Sequence, residues 1–133
     1  MRGEPEAGRT IGVGTHIVEC LRINNLIERH GEGFLARVFS AEEIRYCSSR
    51  TQATQQYAAF WAAKEATVRA LQIEPPRGMS WKTVELQMRG SGNPTPLLHG
   101  PLRLRAEQLG IRAVRISLSH CRTHAVAFAV ALG

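Results

Sequence analysis

An α+β fold, with a mostly antiparallel sheet packed against one long helix and several shorter ones, is predicted by three features of the sequence. Residues Tyr57 to Leu71 form an Ala-rich stretch without Gly or Pro, and their large apolar residues recur at helical spacing. In the second half the apolar period falls to two, as in Val84, Leu86 and Met88 and again in Val114, Ile116 and Leu118. Turn chemistry separates the segments, with Pro75-Pro76, Arg89 to Pro94 and Gly110 as the main punctuation. The chain of 133 residues carries no internal repeat or linker. A single domain over residues 10–133 is therefore expected, preceded by a flexible tail over residues 1–9.

The long helix organises the rest. Tyr57, Phe60, Trp61, Val68 and Leu71 form one stripe at 100° per residue, and Lys64 falls in the middle of it. Glu65 and Arg69 lie one turn apart on the stripe's flank. Two readings follow. Either Lys64 snorkels its nitrogen into water while Glu65 and Arg69 make a surface pair, or the helix holds charges for a ligand.

The remaining elements read in order. Ile11, Val13 and Thr15 alternate with Gly12, Gly14 and His16, which is a short strand with one bare face that admits close approach and places His16 at its end. Leu21 to His30 is helical, with Gly31 as its stop, and Arg22 sits on a solvated edge with Asn25 and Arg29. Phe34 to Phe39 adds a further helical turn or two. Ser40 and Glu43 have capping-box spacing for a helix through about Ser48. Pro96 to His99 is the expected partner of the strand around Val84, and Pro101 opens a helix closed by Gly110. The strand ending at His120 precedes His124 to Leu132, which is apolar on both sides and reads as the most buried strand.

Composition narrows the function classes. Seventeen Lys and Arg against eleven Asp and Glu give a net charge of +6, a field that draws acidic partners. No Lys/Arg run and no basic stripe interleaved with aromatics supports a nucleic-acid partner. Cys20, Cys47 and Cys121 are odd in number and contain no Cys-x-x-Cys, so neither a disulfide framework nor a zinc knuckle is read, and a cytoplasmic location is expected. No apolar run reaches membrane-spanning length, and no signal peptide is supported.

Three segments share an order and wording: Ile-Gly-Val-Gly-Thr-His-Ile-Val-Glu at 11–19, Phe-Trp-Ala-Ala-Lys-Glu-Ala at 60–66, and Ser-Leu-Ser-His at 117–120. Together they resemble the small bacterial holo-acyl-carrier-protein synthases, a class of 4′-phosphopantetheinyl transferases. The likeness runs from about Ile11 to Ala131 and takes in Phe34, Arg37, Ser40 and Glu43, similar to the family's Phe-x-x-Arg-x-x-(Thr/Ser)-x-x-Glu segment. It implies a 4′-phosphopantetheinyl transferase-like fold. The reaction it implies is transfer of the phosphopantetheine arm of coenzyme A to a serine of apo acyl carrier protein, with release of 3′,5′-ADP.

Such a transfer needs positive charge on the diphosphate, a divalent cation such as Mg²⁺, and a base for the serine proton. By resemblance, Glu65, His16 and Lys64 form the catalytic set, and Glu65 with His16 occupies the metal-ligand positions. Lys64 and Arg69 are expected at the phosphates of coenzyme A, Gly92 and Pro94 at the adenosine diphosphate part, and His120 against the nucleotide. Arg22 and Arg37 match positions facing the acidic carrier. A homotrimer with coenzyme A between subunits is also implied.

Three positions depart from the family. His16 stands where the family has a metal-binding aspartate, and imidazole is a poor ligand for magnesium but suits manganese, zinc or iron. This leaves open magnesium held by Glu65, phosphate and water with His16 as base or phosphate contact, a different metal, or little activity. Phe60 replaces an arginine and Asn93 a lysine, each removing a phosphate contact. A non-catalytic module that binds coenzyme A or an acidic protein is the alternative function.

Overall fold

The computed structural model describes residues 8–90 and 92–133. The expected tail falls mainly on residues 1–7, outside the described residues. Arg9, assigned to that tail, instead exchanges backbone hydrogen bonds with Gly133, at 3.1 and 2.8 Å.

Eleven elements follow in order: β1 (Thr10–Glu19), α1 (Cys20–His30), α2 (Glu32–Val38), α3 (Ala41–Ser48), α4 (Ala53–Ala70), a 3₁₀ turn (Trp81–Thr83), β2 (Val84–Gln87), β3 (Thr95–Leu98), α5 (Pro101–Leu109), β4 (Ala113–His120) and β5 (His124–Leu132). Ser40 caps α3 through the predicted reciprocal box, its hydroxyl accepting from the Glu43 N–H and its own N–H donating to Glu43 Oε1. Gly110 ends α5 in the left-handed region, at φ 76°, where a side chain would be strained.

The strands form two sheets where one was expected. β1, β5 and β4 make an antiparallel three-stranded sheet with β5 in the centre, while β2 and β3 pair only with each other. β3 includes Pro96, which has no N–H to offer a ladder, and both short strands are satisfied as a local hairpin.

α4 lies on the inner face of the larger sheet. Ala125, Ala127, Ala129 and Ala131 of β5 are fully buried there, against a helix whose own Ala58, Ala59, Ala62, Ala63, Ala66 and Ala70 are equally buried. Small side chains on both surfaces allow a short separation. At β1 the approach is shorter still: a Cβ on Gly12 would lie 2.0 Å from the Ala70 carbonyl oxygen, and one on Gly14 would lie 2.0 Å from that of Ala66. The glycines of β1 thus form the notch into which α4 seats, which is what their bare face predicted. As an edge strand, β1 has free carbonyls. Gln72 Nε2 donates to that of Ile11, and Arg69 Nη1 to that of Thr15.

β5 is central but not covered on both sides. Its Ala face is buried, whereas Phe128 on the outer face is 52% exposed, alongside Val13 and Ile17 of β1 at 58% and 63%. No described element packs on that outer face, so an apolar patch of the sheet lies open.

Candidate functional site

The notch brings His16 to Glu65. β1 runs on to Glu19, so His16 lies within the strand rather than at its end, two residues past Gly14 on the face that meets α4. His16 Nε2 stands 3.2 Å from Glu65 Oε2, with the side chains 19% and 24% exposed. Burial pushes the His16 ring below its usual range; Glu65 opposes this, and Arg69 and Arg22 push it lower still. The two groups are in close polar contact, and burial disfavours the charged form of the ring.

Trp61, one turn before Glu65 on α4, donates its indole N–H to the same Oε2 at 2.6 Å. Arg69, a turn beyond, is exposed and braces β1 through Thr15 at 3.0 Å. Glu65, Val68, Arg69, Ile73 and Trp81 line a cleft of about 170 Å³. No ion pair joins Glu65 to Arg69 among the described residues, so the surface pair read from their spacing does not form. Glu65 and Arg69 therefore line one small polar cleft, an acid and a cation, with the His16 ring against the acid beside it.

Lys64 is the correction. It neither snorkels nor faces the cleft: its side chain is 1% exposed and its ammonium turns inward. Nζ lies 2.9 Å from Glu43 Oε1 and donates to the carbonyls of Trp81 at 3.0 Å and Val84 at 2.6 Å. All three ammonium hydrogens have internal partners, leaving none for a phosphate. Burial lowers the ammonium's pKa and Glu43 raises it. Glu43 Oε2 in turn accepts from the Leu86 N–H at 2.6 Å. The pair fastens α3, α4, the 3₁₀ turn and β2 to one another, which makes Lys64 a structural residue behind the site.

The other expected residues lie apart. The register puts His120 opposite Ala125, which faces Val18, so His120 is two strands from β1, about 10 Å at ordinary strand spacing. Gly92 is exposed and Pro94 buried in the turn before β3. Between them Asn93 accepts the Leu118 N–H at 3.1 Å, docking the turn on the free edge of β4. No hydrogen bond or ion pair among the described residues links His120, Gly92 or Pro94 to Glu65. Arg22 and Arg37 are exposed on α1 and α2. Phe60 is fully buried and stacks on Tyr46 at 5.6 Å, on the wall of a cavity of about 540 Å³ between α3 and β2. That cavity is larger than the cleft at Glu65 but holds neither His16 nor Glu65.

Sequence reasoning missed Trp61, Glu43 and Asn93. Trp61 was read as part of an apolar stripe, although Trp four residues before Glu is a spacing at which an indole N–H reaches a carboxylate on a helix.

Among the described residues no three His, Cys, Asp or Glu side chains converge as a metal cage. The donor set is one carboxylate and one imidazole, with Nε2 3.2 Å from Glu65 Oε2. This fits a magnesium-like ion, which keeps water and is bound through one or two carboxylates plus substrate phosphates, and does not fit zinc in a closed site.

Comparison with known proteins agrees with this architecture. The sequence model of the 4′-phosphopantetheinyl transferase superfamily matches residues 12–129. A holo-[acyl-carrier-protein] synthase of Rhodopirellula baltica is 45% identical over 120 residues, covering 90% of this chain and 95% of that protein. One from Moorella thermoacetica is 42% identical over 119 residues, covering 90% of each. The crystal structure of the Neisseria meningitidis holo-[acyl-carrier-protein] synthase superposes with a TM-score of 0.81 at 28% identity, over 94% of this chain and all of that one. The Helicobacter pylori enzyme in complex with coenzyme A gives 0.77 at 27% identity, over 90% and 98%. With the notched strand, the Glu-bearing helix and nearly the whole length matched, the chain belongs to the holo-[acyl-carrier-protein] synthases of the 4′-phosphopantetheinyl transferase superfamily.

Proposed function

We propose that this chain transfers the 4′-phosphopantetheine group of coenzyme A to a serine of apo acyl carrier protein, releasing 3′,5′-ADP, with a divalent cation held at Glu65. The observation that carries the reading is the cleft in which Glu65, buttressed by His16 and Trp61, stands beside the exposed guanidinium of Arg69. A coenzyme A complex of a similar protein supports the cosubstrate.

Glu65 supplies the carboxylate, with Oε1 free of protein partners among the described residues. Arg69 presents fixed positive charge at the cleft for the diphosphate. A cation bound there would neutralise the diphosphate and stabilise the leaving group. The exposed Arg22 and Arg37 offer a basic approach for the acidic carrier, raising its encounter rate. Gly92, Pro94 and His120, at the β4 edge of the sheet, are assigned to the nucleotide of coenzyme A bound to a neighbouring subunit. The open apolar face of Val13, Ile17 and Phe128 supports a homotrimer built around it. Sedimentation at working concentration is expected to give a trimer; a monomer would remove the shared-site assignment.

Mass spectrometry of apo carrier incubated with coenzyme A, this protein and Mg²⁺ or Mn²⁺ tests the activity. A gain of one phosphopantetheine is expected. Binding of coenzyme A by calorimetry without metal and without any mass gain would instead favour a non-catalytic module, the reading that the loss of the aspartate leaves open.

His16→Asp is expected to lower the Mg²⁺ concentration for half-maximal activity by about tenfold, because an oxygen ligand replaces a nitrogen that magnesium does not use. Loss of turnover at saturating Mg²⁺ would instead assign the ring a role in removing the serine proton.

A further inference from the structure

The carboxylate of Glu65 is held by more than its own helix. Trp61 Nε1 donates to Oε2 at 2.6 Å and His16 Nε2 stands 3.2 Å from the same oxygen, while Oε1 is left without a protein partner among the described residues. The indole is itself immobilised. Phe34 of α2 stacks on it at 5.7 Å with 22° between planes, and Trp81 of the 3₁₀ turn stacks on it at 6.2 Å with 28°. Trp81 is fixed in turn, because its carbonyl accepts from the buried Lys64 ammonium that Glu43 holds. A packed chain thus runs from the buried ion pair through two indoles to one oxygen of the candidate catalytic acid.

We propose that Trp61 is a positioning residue for the transfer: its N–H pins Oε2 and presents Oε1 as a single free oxygen to the cation and diphosphate. This rests on the reading of Glu65 given above. The choice of donor matters chemically. An indole N–H orients a carboxylate without adding positive charge, so Glu65 keeps its full negative charge for the cation; an arginine or lysine in the same place would neutralise it. The geometry also sets ion preference. With Oε2 bonded to the indole and the His16 ring 3.2 Å from it, the carboxylate is confined to one-oxygen coordination, which suits the octahedral shell of Mg²⁺ or Mn²⁺. It penalises Ca²⁺, whose larger shell is commonly completed by bidentate carboxylates.

Trp61→Phe removes the N–H and keeps an aromatic ring in the stack between Phe34 and Trp81. We expect kcat to fall about tenfold with the KM for coenzyme A changed less than about twofold, and the Mn²⁺ concentration for half-saturation, read by electron paramagnetic resonance on the protein with the ion alone, to rise about tenfold. Ca²⁺ should also compete with Mn²⁺ more effectively in this variant. The native protein supplies an independent readout, since it has only two tryptophans, Trp61 and Trp81. In spectra of ¹⁵N-indole-labelled protein, one indole proton should lie downfield and exchange slowly, vanish in Trp61→Phe, and move upfield in Glu65→Gln, whose neutral amide oxygen is a weaker acceptor. Two indole protons with the fast exchange of free N–H groups would overturn the proposal, as would Trp61→Phe with unchanged kcat and unchanged Mn²⁺ affinity. If Glu65→Gln were itself fully active, the reading of Glu65 would fall first; an inactive Glu65→Gln beside an unaffected Trp61→Phe would remove Trp61 alone.

Discussion

Lys64→Met is expected to destabilise the fold by about 3–5 kcal/mol, because it leaves the Glu43 carboxylate buried without its counter-ion. Both side chains are almost wholly removed from solvent, at 1% and 0% exposure. The substitution also takes a donor from the carbonyls of Trp81 and Val84. In a chain of this length that cost corresponds to a fall in Tm of about 10–20 °C, measured by calorimetry or circular dichroism. Adding Glu43→Gln should recover part of the loss, since the orphaned group then carries no charge. A Tm within about 2 °C of the parent would show that the ammonium reaches water and that the pair does not join α3, α4 and β2. A lysine contacting phosphate would give the opposite signature, with stability retained and coenzyme A binding lost.

Glu65→Gln is expected to reduce kcat/KM for carrier modification by at least about a hundredfold while leaving Tm nearly unchanged. The amide keeps the shape of the carboxylate and an acceptor for Trp61, but it carries no charge for a divalent ion or for a cleft organised around one. The side chain is 24% exposed, so little packing is lost. A variant within about threefold of the parent would place the chemistry elsewhere in the protein.

Much of the fold was legible because its signals are local. The capping box of Ser40 and Glu43, Pro101 at the start of α5 and Gly110 at its end all act within one turn, and each element formed where they put it. The glycines of β1 were legible for a similar reason: two bare positions on one strand face anticipate close approach, and the Ala66 and Ala70 carbonyls fill it. Long-range pairing was not legible. Nothing in the period of Val84, Leu86 and Met88 shows that β2 pairs only with β3 and stays out of the larger sheet. The apolar pattern of β5 was taken as burial on both sides, but a pattern cannot distinguish a face covered by the chain's own helix from one left open, as at Phe128.

The site divides in the same way. Helical spacing placed Glu65 and Arg69 on one flank and singled out Lys64 as an unusual charge, which it is. Its partner lies 21 residues upstream, the difference between positions 64 and 43, on a helix whose docking angle no local rule gives. Glu43 satisfied its capping role so fully in the sequence that its second oxygen and its ion pair went unread. The sequence reading grouped His16 with Glu65, but only the structure gives their distance, 3.2 Å from Nε2 to Oε2.

The central claim is that Glu65 holds a divalent ion against the diphosphate of coenzyme A. Anomalous diffraction from crystals grown with Mn²⁺ and coenzyme A tests this most directly. The account predicts a manganese peak at coordination distance from Glu65 Oε1 and from diphosphate oxygens, with Oε2 still bonded to Trp61. Ordered coenzyme A with no ion near either phosphorus, and Glu65 turned out of the cleft, would contradict it.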